Sequence, residues 1–165
     1  MTLVMGKCDS EPPVFVNTVK VQSAKDMYDA VIERADSMDI IVKAAAVADY
    51  RPKNVSSEKV KKQDGNMSIE LERTDDILKT LGERKNSQFI CGFSMETENM
   101  LENSRKKLEK KNCDMIVANN LKQDGAGFGG NTNIVTLITK DDEVQLEKMT
   151  KDEVAEKIFD FILSR

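Results

Sequence analysis

The sequence predicts an α/β fold: a Rossmann-like, mostly parallel sheet flanked by helices, with an inserted β-hairpin. Three observations predict it. Short apolar runs alternate with stretches whose apolar residues recur at helical spacing. The central runs are apolar nearly throughout, as expected of strands covered on both faces. Two Ser/Thr-x-x-Asp/Glu capping boxes open helical stretches.

Taken in order, residues 2–5 are a short apolar strand ending at Gly6. Residues 14–21 mix valines with polar residues, which predicts an exposed or edge strand. Ser23 and Asp26 form the first capping box, and Met27, Ala30, Val31 and Ala35 then repeat at helical spacing. Residues 38–46 are a nearly continuous apolar run and predict a strand buried on both faces. Residues 58–63 and 66–73 flank Asp64-Gly65 and predict a β-hairpin, because Asp-Gly suits its turn. Thr74 is positioned to cap a helix running to about Arg84.

Residues 88–93 predict another buried strand, and a charged helix follows over about 98–111. Residues 114–118 form a short strand, and 119–132 a glycine-rich loop. Residues 134–139 and 143–146 read as two strands around an Asp-Asp turn. Thr150 and Glu153 make the second capping box, opening a last helix with Val154, Ile158, Phe161 and Ile162 on one face. The whole reads as one domain over residues 1–165. In parallel sheets ligands sit beyond the carboxyl ends of the strands. Those ends are expected at 47–54, 94–97 and 119–131.

Composition narrows the chemistry. With 165 residues, 39% apolar and 33% charged, the chain can bury a real core. The 25 basic and 29 acidic side chains give a net charge of −4, which provides no global basic field for nucleic acid. There is no histidine. Ser-His and Cys-His nucleophile pairs, His-ligated zinc and an imidazole base are therefore excluded within this chain. Cys8, Cys91 and Cys113 are far apart and lack a C-x-x-C spacing, so a reducing cytoplasm is expected, with Cys91 and Cys113 as small buried hydrophobes. The apolar run at 40–47 is broken by Lys43, and no signal peptide or membrane span is expected.

Four motifs carry possible chemistry. Gly125 to Gly130 match G-x-G-x-x-G, but a strand pattern follows where a dinucleotide site needs a helix. A glycine-rich loop that closes over a ligand is the better reading, and an NAD(P)-binding oxidoreductase ranks last. Lys59-Val60-Lys61-Lys62 fits either a solvated edge that blocks strand pairing or a phosphate clamp. Lys107 and Lys111, four apart on the charged helix, share a face. At 44–52 small residues at a strand end let a ligand approach the backbone, and Asp49 follows as a hydroxyl or magnesium partner.

The segments AAAVADYRP, EKVKK, TDDIL, GFSMETE, CDMIVANN and GFGGNTNIVTLI, in this order, closely resemble the bacterial phosphopantothenoylcysteine synthetases. These are the CTP-dependent phosphopantothenate–cysteine ligases of coenzyme A biosynthesis, often the C-terminal half of a bifunctional flavoprotein. The resemblance implies CTP as co-substrate, magnesium, a cytoplasmic homodimer, and 4′-phosphopantothenate and cysteine as substrates. It implies no FMN in this domain and a flavin decarboxylase domain fused or separate. The hairpin is the expected subunit contact. No nucleic acid or membrane partner is expected.

Carried over by position, the resemblance implies nucleotide contacts at Ala44, Ala45, Asp49, Lys59, Asp75, Asp76, Ile77, Leu78, Phe93, Lys107 and Lys111. Lys59 is the implied catalytic residue, clamping the triphosphate, and Asn119 a substrate-side candidate. Phe93 is equally compatible with plain core. Asp75 departs from the family, which has proline there. The family also opens earlier, with a first strand, a Thr-Ser-Gly-Gly-Thr turn and a catalytic asparagine. Their absence predicts a fragment with little or no ligase activity in isolation, so a catalytically silent nucleotide-binding module is the alternative.

Overall fold

The computed structural model describes residues 1–8, 10–62, 64–96, 98–120 and 130–165. In chain order the elements are β1 (Thr2–Met5), β2 (Asn17–Lys20), α1 (Ala24–Ala35), β3 (Ile40–Lys43), β4 (Tyr50–Pro52), β5 (Leu71–Arg73) and α2 (Ile77–Arg84). Then come β6 (Phe89–Glu96), α3 (Met100–Lys110), β7 (Met115–Asn120), β8 (Thr132–Asn133), β9 (Val135–Ile138), β10 (Glu143–Gln145), β11 (Met149–Thr150) and α4 (Lys151–Leu163). They form two compact units. One holds Met1–Arg34 and Ala45–Ile77, the other Ala35–Ala44 and Leu78–Arg165.

The second unit contains the predicted α/β sheet. Its strand order is β10-β9-β7-β6-β3. β3, β6 and β7 run parallel, and β9 and β10 are antiparallel additions at one side. Strand side chains alternate between faces. One face carries Cys91, Met115, Val117, Val135 and Leu137, which pack with Val154, Ile158 and Ile162 of α4 in the main core. The other face meets α3 through Ser94 and Ser104. The predicted helical face of α4 is thus the one that is buried, with Phe161 only partly so.

Local signals set several boundaries. The hydroxyl of Thr150 accepts from Glu153 N at 3.2 Å, and Thr150 N donates to the Glu153 carboxylate at 2.8 Å. The donation from Thr150 N, together with one from the Thr150 hydroxyl to the same carboxylate at 2.8 Å, holds the Glu153 carboxyl below its usual range. Asp114 pins the entry to β7. One of its oxygens accepts from Ile90 N at 2.7 Å and the other from Lys85 at 2.5 Å. At the Asp-Asp turn, Thr139 N donates to Asp142 O and Asp142 N donates to the Thr139 hydroxyl.

In the first unit β1 and β2 pair in parallel. Ser23 and Asp26 close their predicted capping box, with Asp26 N donating to Ser23 Oγ and Ser23 N to Asp26 Oδ2. β4 and β5 form an antiparallel ribbon.

Three expectations need correction. The strand at 38–46 is shorter, β3 alone, and is not buried on both faces. It ends the sheet order, so Ile40, Ile41 and Lys43 are only half-buried and Val42 is 38% exposed. The hairpin at 58–73 does not form as predicted. Residues 58–62 lie outside any strand, and β5 pairs with β4 instead. Opposite charges across the ribbon favour that register: Arg51 meets Glu72 and Lys53 meets Glu70, each at 2.7 Å. Gly65 still adopts the glycine-favouring φ of 103°. Thr74 does not directly precede the helix, because α2 begins at Ile77. Its hydroxyl donates to Ala48 O at 2.6 Å.

Candidate functional site

The carboxyl ends of the parallel strands in the second unit gather polar side chains. β6 pairs with β3 only as far as Gly92 and runs on to Glu96, so Phe93 and the residues after it extend past the last β3 partner. The Phe93 carbonyl accepts a hydrogen bond from Lys107 Nζ at 2.8 Å. One turn earlier on α3, Ser104 is fully buried and shares a 2.7 Å hydrogen bond with Ser94. Asn103 Nδ2 donates to Glu96 at 3.2 Å and to Glu98 O at 3.1 Å. The α3 face holding Asn103, Ser104 and Lys107 is therefore docked on the end of β6 by side-chain hydrogen bonds. Lys107 reaches the Phe93 backbone there, whereas the half-buried Phe93 side chain packs on the opposite sheet face against the main core.

An ammonium group at a strand end supplies a point charge suited to an anionic ligand. Lys111 is the C-cap of α3, and its backbone N–H donates to Lys107 O at 2.9 Å. Asn119 is buried near the end of β7, and its Oδ1 makes no hydrogen bond. Ala44 is exposed just past β3. Leu78 is buried, and a Cβ on Gly92 would stand 2.7 Å from its Cδ2. The Leu78 side chain thus serves the core, leaving only its backbone for a ligand.

The first unit holds the remaining predicted residues. Ala45, Asp49, Lys59, Asp75 and Asp76 are exposed, and Ile77 is buried. Thr74 N donates to Asp49 O at 3.0 Å, and the Thr74 hydroxyl bonds Ala48 O, so the loop after Ala45 and the approach to α2 are tied together. Lys59, Lys61 and Lys62 are exposed within an irregular segment. Of the Gly125–Gly130 match, only Gly130 falls within the described residues.

Ser94, Ser104, Asn103 and Glu96 were not singled out from the sequence. A signal existed: Ser104 lies four residues before Leu108, and both face inward on a helix that is otherwise charged. The two buried thiols offer no competing chemistry. Burial pushes both Cys91 and Cys113 up to about 12, so they stay protonated at neutral pH. Among the described residues, no three His, Cys, Asp or Glu side chains converge to hold a metal, and no helix is long and apolar enough to cross a membrane.

Comparison with known proteins gives a consistent result. The profile of the DNA/pantothenate metabolism flavoprotein C-terminal domain matches residues 1–165. The coenzyme A biosynthesis bifunctional protein CoaBC of Bacillus subtilis strain 168 is 53% identical over 131 residues, covering 79% of this chain and 32% of that protein. A cysteine/cysteine sulfinic acid decarboxylase from an unknown prokaryotic organism is 42% identical over 167 residues, covering 99% of this chain and 46% of that protein. The chain therefore spans about a third to a half of these relatives. The crystal structure of a CoaBC C-terminal domain superposes with a TM-score of 0.81 at 46% identity, over 98% of this chain and 71% of that one.

Proposed function

The chain belongs to the DNA/pantothenate metabolism flavoprotein C-terminal domain family, and on that premise we propose that it carries the CTP-dependent phosphopantothenate–cysteine ligase activity of coenzyme A biosynthesis. The observation that best supports this reading is the pairing of Lys107 with the Phe93 carbonyl at the carboxyl end of β6. Two residues that the resemblance assigns to the nucleotide meet there.

The reaction needs no histidine. The carboxylate of 4′-phosphopantothenate attacks the α-phosphorus of CTP, forming an acyl-cytidylate and expelling pyrophosphate. The amine of cysteine then attacks the acyl carbon, loses a proton, forms the amide and expels CMP. Both steps move negative charge on phosphate oxygens, so correctly placed cations and tight positioning supply the catalysis. Lys59 is assigned to the triphosphate, and Lys107 and Lys111 to nucleotide recognition. Phe93 is assigned to the nucleotide. Ile77 and Leu78 are assigned to the nucleotide through their backbone, since their side chains are buried. Asp49 is assigned to a hydroxyl. Among the described residues no three carboxylates converge on a metal position, and the roles given to these residues do not depend on one.

The reading places the enzyme in the cytoplasm as a homodimer. Its subunit contact is assigned to the segment bearing the exposed Val55, Val60, Met67, Ile69 and Leu71. Sedimentation equilibrium that returns only a monomer refutes that contact.

A thermal shift with magnesium and CTP, beside ATP and NAD at equal concentration, tests the nucleotide. A ligand at about 100 times its Kd stabilises by roughly 2.7 kcal/mol. At about 2–4 °C per kcal/mol, the expected rise with CTP is roughly 5–11 °C. Lys107→Met should remove most of it. A shift with NAD alone, or with no nucleotide, overturns the reading. Pyrophosphate release that requires 4′-phosphopantothenate then tests turnover.

A further inference from the structure

A cavity of about 410 Å³ lies at the end of the second unit's sheet where the parallel strands begin. It is bounded by the starts of β6 and β7, the C-terminal half of α3 and the turn between β9 and β10. The volume falls within the range of small-molecule sites, roughly 300–1,000 Å³. Phe89 lines it, whereas Phe93 stands four residues further along β6, roughly 13 Å toward the carboxyl end. None of its lining residues belongs to the set assigned to the nucleotide.

The lining divides into an apolar and a charged part. Leu108 and Cys113 are buried and Phe89 is half-buried, so the inner surface is apolar. Around it stand four cations, Lys85, Arg105, Lys140 and Arg165, against the carboxylates of Glu109, Asp114 and Asp141. Lys85 and Asp114 satisfy each other at 2.5 Å. Arg105 pairs with Glu143 at 2.6 Å, and Arg165 pairs with Asp142. A guanidinium has further N–H donors beyond the Nη2 used in each of these pairs. Such surface pairs contribute little and yield readily to a ligand. Lys140 is exposed and holds no ion pair among the described residues.

The walls are fixed by hydrogen bonds of their own. Asp114 also accepts from Ile90 N at 2.7 Å, Asn112 Nδ2 donates to Gly82 O at 2.9 Å, and Asp142 N donates to the Thr139 hydroxyl at 3.0 Å. A ligand entering preorganised walls loses little affinity to ordering them.

We propose that this cavity is a second ligand site, for a small organic anion that joins a carboxylate to a flat apolar body. The body covers Phe89, Leu108 and Cys113. The carboxylate takes the spare donors of Arg105 and the ammonium of Lys140. An organic cation is disfavoured, because cations outnumber carboxylates in the lining and Asp114 is already held by Lys85 and a backbone N–H. An anion without an apolar body would leave the inner surface to water. The site stands apart from the ligase reading, and either can fail without the other.

The test is isothermal titration calorimetry of the full chain with 2-naphthoate, 2-naphthamide and 2-naphthylmethylammonium, which share one body and differ in charge. Wild type is compared with Arg105→Gln, Lys140→Gln and Glu109→Trp, the last an exposed helix position where the indole fills the cavity. Wild type should bind naphthoate with a Kd of about 1 mM or tighter. The amide should bind about threefold more weakly or worse, and the ammonium most weakly. Arg105→Gln and Lys140→Gln should each weaken naphthoate by about threefold or more without changing the amide. Glu109→Trp should abolish binding of both. All three variants should keep the thermal response to CTP that wild type shows. If Glu109→Trp fails to fold, the two charge variants carry the comparison.

Equal binding of the three probes means apolar partitioning and overturns the proposal. Tighter binding of the ammonium overturns it, as does naphthoate that fails to bind at about ten times the expected Kd. Naphthoate affinity that the variants leave untouched, or that CTP competes away, puts the probe elsewhere and overturns it too. Naphthoate binding as expected in a protein that does not respond to CTP supports the proposal and overturns the ligase reading alone.

Discussion

Replacing Gly82 with alanine should destabilise the second unit, although alanine is the better helix former. Gly82 lies within α2. A Cβ built there would stand 1.8 Å from the carbonyl oxygen of Lys111 and 2.8 Å from its carbon, against an ordinary contact of 3.4–4 Å. The obstacle is backbone, so no rotamer change relieves it. The turn ending α3 would have to retreat by well over an ångström. Asn112 Nδ2 also donates to Gly82 O at 2.9 Å, and that bond would stretch or break.

Alanine in a helix gains about 1 kcal/mol over glycine. Overpacking typically costs about 1–3 kcal/mol or somewhat more, and the strained hydrogen bond about 1 kcal/mol. The net loss is roughly 1–3 kcal/mol, a fall in Tm of roughly 2–12 °C for a chain of this size. Thermal denaturation followed by circular dichroism measures it, with Asn112→Gly, which tolerates the left-handed φ of 48° at that position, as the control that loses the side-chain hydrogen bond. Lys107 and Lys111 ride on the displaced turn, so the thermal response to CTP should shrink as well. A Tm equal to or above wild type would refute the reasoning, since it would mean that α2 and the end of α3 do not approach so closely.

Other consequences are simpler to test. Glu153 has its carboxyl held below the ordinary 4.5 by the Thr150 bonds, so its charged form stabilises the start of α4. That stability is complete above the ordinary value and is lost as pH falls through the lowered one. Glu153→Gln should therefore melt below wild type at neutral pH, and the gap should close on acidification; a gap independent of pH contradicts the assignment. Thiol titration at mildly alkaline pH should modify Cys8 quickly, because it is exposed, and reach Cys91 and Cys113 only after denaturant is added. Ile158→Ala removes a side chain buried in the α4-side core and should cost about 2–5 kcal/mol in chemical denaturation.

The sequence by itself determined the features that depend on near neighbours. The α4 capping box joins residues three apart, and its inner face follows from spacing along one helix. The buried strands around Ile90, Val117 and Leu137 declare themselves by continuous apolar runs. The family resemblance rested on ordered motifs and was legible without coordinates.

Tertiary structure decided the features that need a partner far along the chain. The Asp64-Gly65 signal suggested which strand would face residues 71–73, but cross-strand charges gave that place to Tyr50–Pro52. A continuous apolar run cannot say whether its strand is central or lies at the end of the sheet, and β3 lies at the end. Lys107 meeting the Phe93 carbonyl spans 14 residues, and Ser94 meeting Ser104 spans 10. The missing partner of Asn119 Oδ1 is visible only once every neighbour is in place. Local periodicity reports which face of an element avoids water, but strand pairing and polar satisfaction depend on groups that only the folded chain brings together.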